Sequence, residues 1–231
     1  MKNVIGIIGA MESEVAGLIS KLKGHSVETV GGVEFHTGTL FSRDVVISRC
    51  GVGKVFAAIC AEAMIIKYSP CLIVNTGVGG ALASNLKCTD TVIATSLVQY
   101  DMDTSPLGDP KGMISGINRV FFDADKRAVR TLLDCAGELG IYATEGIVAS
   151  GDRFVSDKAT KDMIVNEFGA SVCEMEGAAI AHVAFVNGTP FAVVRAISDN
   201  ADGESAMSFS SFVEIAAKNS EALTLALLRS Y

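Results

Sequence analysis

The sequence predicts an α/β fold, a three-layer α/β/α arrangement around a central mixed, largely parallel sheet. Three observations carry this reading. Short β-like apolar runs alternate with helical patterns from end to end, with no linker, repeat or low-complexity tract between them. The run at residues 71–75 is almost continuously apolar, as in strands buried on both faces. Run after run ends in glycine and polar residues: IIGAMESE, SRCGVGKV, VNTGVGGA, VASGDRFV and VRAISDNAD. A chain of 231 residues fits one such domain, spanning 1–231.

Residues 4–8 read as the first strand, followed by a helix from about Glu12 to Leu22. Residues 31–41 and 44–50 read as two strands joined by a turn at Ser42 and Arg43. From Lys54 to Tyr68, Val55, Ile59, Ala63 and Ile66 recur at helical spacing. The strand at 71–75 follows, then another at 90–98. Residues 99–118 are polar and bear glycine and proline, a connection longer than usual and so a candidate for function or subunit contact. Residues 125–139 read as a helix, 142–150 as a strand, 157–168 as a helix and 170–174 as a short extended piece. A very apolar helix at 176–186, a strand at 191–197 and a long amphipathic helix at 208–229 complete the chain.

Composition narrows the function classes. The chain is 49% hydrophobic and 19% charged with four prolines, enough apolar material for a large core and too much for disorder. Nineteen basic against 26 acidic residues leave a net charge of −7, without the basic footprint of a nucleic-acid or anionic-membrane binder. Mean hydropathy is +0.40, yet no apolar run reaches the ~18–20 residues of a spanning helix. The start, MKNVIGIIGAMESEV, lacks a basic n-region, and its glutamates interrupt the apolar stretch a leader would need. Six cysteines without a C-x-x-C pair read as buried thiols of a cytoplasmic protein, and His25, His36 and His182 lack ligand spacing, so no metal site is expected.

In open α/β sheets ligands bind beyond the carboxyl ends of the strands, and the five glycine-bearing ends outline one such site. The glycines do not spell a nucleotide motif. Val55 follows Lys54 where a Walker loop needs Ser or Thr, and Leu82 stands where a dinucleotide loop needs its last glycine. No cofactor is expected. Backbone lying close to a flat or small ligand is the remaining reading of both loops.

Carboxylates cluster at the same ends. Glu12 and Glu14 follow the first strand, where a helix dipole favours acids in any case. Glu174 and Glu176 precede a helix apolar enough to be buried. Arg195, inside the apolar strand FAVVRAIS, requires an anionic partner, with Glu14, Glu176 and Asp199 as candidates.

VIGIIGAMESEV, CGVGKV, NTGVGG, SGDRFV, EMEGAAIAHV and RAISDNAD together resemble the 5′-methylthioadenosine/S-adenosylhomocysteine nucleosidases of the nucleoside phosphorylase superfamily. The resemblance runs from Ile5 to the C-terminal helix, and GAMESE with EMEG and RAISD is its most specific part. Val78 and Gly79 depart from that family's usual segment after NTG. The resemblance implies a nucleoside phosphorylase-like fold, a homodimer, a small-molecule nucleoside substrate and hydrolysis of an adenine N-glycosidic bond, within methionine salvage. It implies that Glu14 activates water and that Asp199, oriented by Ser198, protonates adenine N7. Glu176 would hold the ribose hydroxyls with Met175 beneath the sugar, and Arg195 would help place water and carboxylates. Phe154 would stack on adenine and the Val155 backbone would bond its edge. Met11, Val52 and Phe209 would line the sugar and 5′-thio pocket. Met102, Pro106 and Leu107 would reach the partner subunit's site.

Two rival readings lose ground on the residues. A purine nucleoside phosphorylase needs a cationic phosphate cradle, but no arginine stands between Met1 and Ser42, and Arg49 alternates with Cys50 away from the site. A non-catalytic nucleoside binder has no use for both Glu14 and Asp199. A different nucleosidase, such as a futalosine hydrolase, remains a substrate-level alternative.

Overall fold

The computed structural model describes residues 4–231; Met1 to Asn3, the beginning of the start read above as lacking a basic n-region, lie outside the described residues. The elements in chain order are β1 (Ile5–Gly9), α1 (Glu12–Ile19), β2 (Lys23–Val30), β3 (Val33–Leu40), β4 (Arg43–Arg49) and α2 (Lys54–Tyr68). Next come β5 (Leu72–Ala81), β6 (Thr91–Gln99), β7 (Phe121–Asp123), α3 (Lys126–Leu139) and β8 (Ala143–Ser150). The chain ends with α4 (Lys158–Phe168), β9 (Val172–Glu174), α5 (Gly177–Val186), β10 (Phe191–Asp199) and α6 (Ser205–Ser230).

All these strands belong to one mixed sheet, ordered β10-β6-β8-β9-β5-β1-β4-β3-β2, with β7 on β6. The core strands β4, β1, β5 and β10 run parallel, as do β6, β8 and β9. Because β10 also pairs with β5, the strands β10, β6, β8, β9 and β5 close into a ring, so this end of the sheet curls into a small barrel. Helices α1 and α3 each pack on α6, which is laid along β5 and β10, while α2 and α5 pair and cover β1, β4, β6 and β8. No helix among the described residues is long and apolar enough to cross a membrane.

The structure corrects several boundaries. Strand β2 is absent from the sequence expectation because KGHSVETV is an exposed, polar edge strand, so its faces give no apolar alternation. Gly31 and Gly32 are the turn between β2 and β3, not part of a strand; both have positive φ, as a two-residue hairpin turn requires. The next turn is Phe41 and Ser42, again both at positive φ, one residue before the expected place. Helix α1 stops at Ile19 rather than Leu22.

The largest correction concerns NTGVGGA. It is no loop: β5 continues to Ala81, and every residue of it is buried. Its glycines pair with β10 from Gly77 to Gly80 and with β9 from Gly80, so the strand is held by its neighbours' backbones. Within residues 99–118 a single 3-10 turn forms at Ser105–Leu107, and Ile114 bridges Arg119.

Candidate active site

The five strand ends singled out in the sequence meet around one cleft of about 580 Å³. Its walls come from Ala10 and Met11 after β1, Glu14 of α1, Val52 after β4 and Val78–Gly80 of β5. They continue through Arg153–Val155 after β8, Cys173–Glu176 across β9 and its end, Ser198 and Asp199 of β10, and Phe209 of α6. The parallel strands β1, β4, β5 and β10 present their carboxyl ends on one side, and closure of the ring brings the ends of β8 and β9, which run the other way, to the same cleft.

Glu14 is 4% exposed and aims back at the turn that precedes its helix. Its Oε2 accepts the N–H groups of Ala10 and Met11 at 2.7 and 2.9 Å, and Oε1 accepts that of Val78 at 3.1 Å. Burial raises its proton affinity, while the Arg195 charge and these three amides oppose the rise. The outcome is an oriented carboxylate with a stronger pull on protons than a solvated one.

Asp199 is held from both sides. Ser198 Oγ donates to Oδ2 at 2.9 Å, and the Ala201 N–H donates to Oδ1 at 2.9 Å. Burial raises its pKa, with those two donors pulling the other way. A carboxyl so placed is a candidate general acid.

Glu176 occupies the N-cap position of α5 without capping it. Its Oε1 instead accepts the Gly53 N–H at 2.8 Å, across the cleft from the CGVGK turn. Gly53 has a φ of +104°, a conformation that a side chain strongly disfavours. Burial, then the negative charge of Glu174, push the Glu176 pKa up to about 8.

The helix is capped by Glu174, whose Oε2 accepts the N–H groups of Glu176 and Gly177 at 3.0 and 2.7 Å. Glu174 is also the partner of Arg195, through both Nε and Nη2. This corrects the expectation that Glu14, Glu176 or Asp199 would pair with Arg195. Arg195 lies beneath the cleft rather than in its lining, fully buried, and also donates to Asn75 Oδ1 and the Val194 carbonyl.

Phe154 and Phe209 meet edge to face with centroids 5.8 Å apart, and Phe154 is 42% exposed at the cleft. Met11, Val52, Val78, Gly79, Val155, Met175 and Ser198 all line the cleft. Met102, Pro106 and Leu107 do not line it, and Leu107 is 84% exposed. Arg49 turns away, to Glu12 at 2.9 Å.

Glu174, Cys173, Arg153 and Gly80 line the cleft without having been expected there. The doubled glutamate in CEMEG was the available signal for Glu174. The sequence does not say which of the two caps the helix, since both lie at its start.

Fold and site together define the class: an α/β enzyme whose cleft gathers carboxylates at the carboxyl ends of its strands. Residues 4–229 match the Phosphorylase superfamily. The 5′-methylthioadenosine/S-adenosylhomocysteine nucleosidase of Shewanella halifaxensis (strain HAW-EB4) is 39% identical over 227 residues, covering 97% of this chain and 98% of its own. The nucleosidase of that name from Neisseria meningitidis, solved in complex with methylthio-immucillin-A, superposes with a TM-score of 0.96 at 30% identity, covering 99% of this chain and 100% of its own. Futalosine hydrolase of Helicobacter pylori strain 26695 superposes with a TM-score of 0.96 at 34% identity, covering 100% of this chain and 99% of its own. The chain belongs to the 5′-methylthioadenosine/S-adenosylhomocysteine nucleosidase family, N-glycosyl hydrolases within that superfamily.

Proposed function

We propose that this protein hydrolyses the N-glycosidic bond of 5′-methylthioadenosine and S-adenosylhomocysteine, with 5′-deoxyadenosine as a further candidate, releasing adenine and the 5′-substituted ribose. The observation that carries the reading is Glu14, an acceptor-only carboxylate oriented by three amides inside the cleft. It suits water as the nucleophile and would repel phosphate.

Breaking the bond builds positive charge on the sugar and negative charge on the base. Glu14 takes a proton from the attacking water, and Asp199 supplies one to adenine N7, held in line by Ser198. Glu176 accepts from the ribose hydroxyls and places negative charge beside the developing cation. Phe154 stacks on adenine, the Val155 backbone bonds its edge, and Met175 supports the sugar. Met11, Val52, Val78, Gly79 and Phe209 enclose the remainder. Arg195 acts from below, through the carboxylates rather than on substrate.

Phosphorolysis is the less favoured reading. Arg195 is already matched by Glu174, Arg49 faces Glu12, and Arg153 at the cleft rim pairs with Asp157 at 2.8 Å. Among the described residues at the cleft, no arginine fork remains to cradle phosphate. Hydrolysis of futalosine is a second reading, supported by the Helicobacter pylori hydrolase above.

We infer a homodimer from the outward apolar side chains of α2 and α5, where Val55, Ile59, Ile66 and Val186 are exposed. Met102, Pro106 and Leu107 are assigned to the partner's cleft on the same reading. A cytoplasmic setting suits the buried thiols Cys50, Cys60, Cys135 and Cys173.

The deciding assay follows adenine release from each nucleoside, and from futalosine the release of hypoxanthine, with and without phosphate. Adenine release from the two thio-nucleosides independent of phosphate is expected. Formation of a ribose-1-phosphate product, or turnover of futalosine alone, overturns the reading.

A further inference from the structure

Glu174 and Glu176 stand two residues apart with opposite surroundings. Glu174 Oε1 takes the Ser150 hydroxyl, whose oxygen in turn accepts the Ala178 N–H at 2.7 Å. Its Oε2 takes Arg195 Nε and Nη2 and the amides of Glu176 and Gly177. Both oxygens of Glu174 are thus engaged by a guanidinium, a hydroxyl and two amides. Arg195 continues the chain to Asn75, whose Nδ2 donates to the Ile8 carbonyl of β1 at 2.9 Å.

Glu176 has the Gly53 amide on Oε1. The charged and titratable groups around it are Glu174 on β9, Arg195 on β10, Glu14 on α1 and the Cys50 thiol after β4. Arg195 is the one cation among these, and it is bound to Glu174. What Glu176 meets is therefore a balanced ion pair and a further carboxylate, in a buried setting where charge is weakly screened.

We propose that Glu174 is a positioning residue acting through Glu176: by engaging Arg195 it leaves Glu176 without a free cation to pair with, and so sets the pH range of ribose binding. The proposal rests on the assignment of Glu176 to the ribose hydroxyls. A more basic carboxylate is the stronger acceptor for two hydroxyl donors, and it gains further as the sugar turns cationic. The elevated pKa of Glu176 agrees with this. Below its midpoint, substrate binding must then release the proton that Glu176 carries.

The test is carbon-13 NMR of the protein labelled at glutamate carboxyls, with the Glu176 resonance assigned by its loss in Glu176→Gln. In the wild type, Glu176 should titrate well above the ordinary glutamate range. In Glu174→Gln the Glu176 midpoint should fall by about one pH unit or more, and the acid limb of kcat/KM should fall with it. An unshifted Glu176 midpoint in folded Glu174→Gln overturns the proposal. So does a wild type in which Glu176 titrates in the ordinary glutamate range, a measurement that does not depend on the folding of Glu174→Gln. Should the wild type release no adenine, the functional reading fails, while the two titrations still decide the electrostatic claim.

Discussion

Gly77 faces Glu14 so closely that a Cβ at position 77 would lie 2.6 Å from Glu14 Oε1. Gly80 stands in the same relation to Asp199, with a Cβ falling 2.8 Å from Oδ1. The two strand glycines therefore vacate the space that the two carboxylates occupy. Their role is steric, since neither has a positive φ. Gly77→Ala should displace Glu14 from the Val78 amide and lower kcat by about 10–100-fold, the scale on which ~1 Å misplacements act. Gly80→Ala should do the same through Asp199. Near-normal kcat in both folded variants would show that the carboxylates can move without consequence.

The sequence made much of this site legible. Alternating apolar runs set the fold class, and glycine and carboxylates at strand ends marked the cleft. What the residues could not convey was how neighbouring strands use them. TGVGGA reads as a loop because glycine has no intrinsic preference for strands, yet β10 and β9 pair with it and side chains from elsewhere fill the space above it. The edge strand β2 is polar on both faces and so is silent to periodicity. Glu174 was hidden for a different reason: whether an acid caps a helix or faces a ligand depends on one backbone turn, not on residue type.

Removing the two proposed proton carriers tests the chemistry directly. Glu14→Gln keeps size but removes basicity, and Asp199→Asn removes the acid. Each should slow adenine release by about 10²–10⁴-fold while circular dichroism stays unchanged. The losses should appear in kcat. A rise confined to KM would reassign either residue to binding.

Phe154 sits half exposed over the cleft, edge on to Phe209. If it stacks on a flat base, Phe154→Ala should raise KM by roughly 5–30-fold, corresponding to about 1–2 kcal/mol of lost stacking and burial. Phe154→Tyr should leave it within about threefold. Equal KM for Ala and Phe would remove the base from that ring.

The exposed apolar side chains of α2 predict self-association. Ile59 is 44% exposed and lies beside Val30, Ala63, Ile66 and Val183 in one shallow apolar depression. Ile59→Glu should halve the mass seen by light scattering at micromolar concentration and lower activity if the partner completes the cleft. A wild type that is already monomeric and fully active contradicts both the dimer and the cross-subunit assignment of Leu107.

Glu176 also predicts a stability cost written into the cleft. Its folded-state pKa, about 8, lies above the ordinary glutamate value, so the native state holds its proton more tightly than the unfolded chain. For an acid shifted in this direction, stability is greatest below the unfolded value and declines as pH rises toward the folded one. Above that point the native state carries a buried, poorly compensated charge. Glu176→Gln removes the charge and keeps an acceptor for the Gly53 amide. The variant should match the wild type near pH 4.5 and exceed it above pH 8 by roughly 2–3 kcal/mol, part of the ~1.4 kcal/mol per pKa unit being offset by relaxation around Glu174. Urea denaturation at the two pH values measures the difference. A wild type that gains stability relative to Glu176→Gln on going from pH 5 to pH 9 would mean that Glu176 is stabilised as a carboxylate, with its pKa lowered rather than raised.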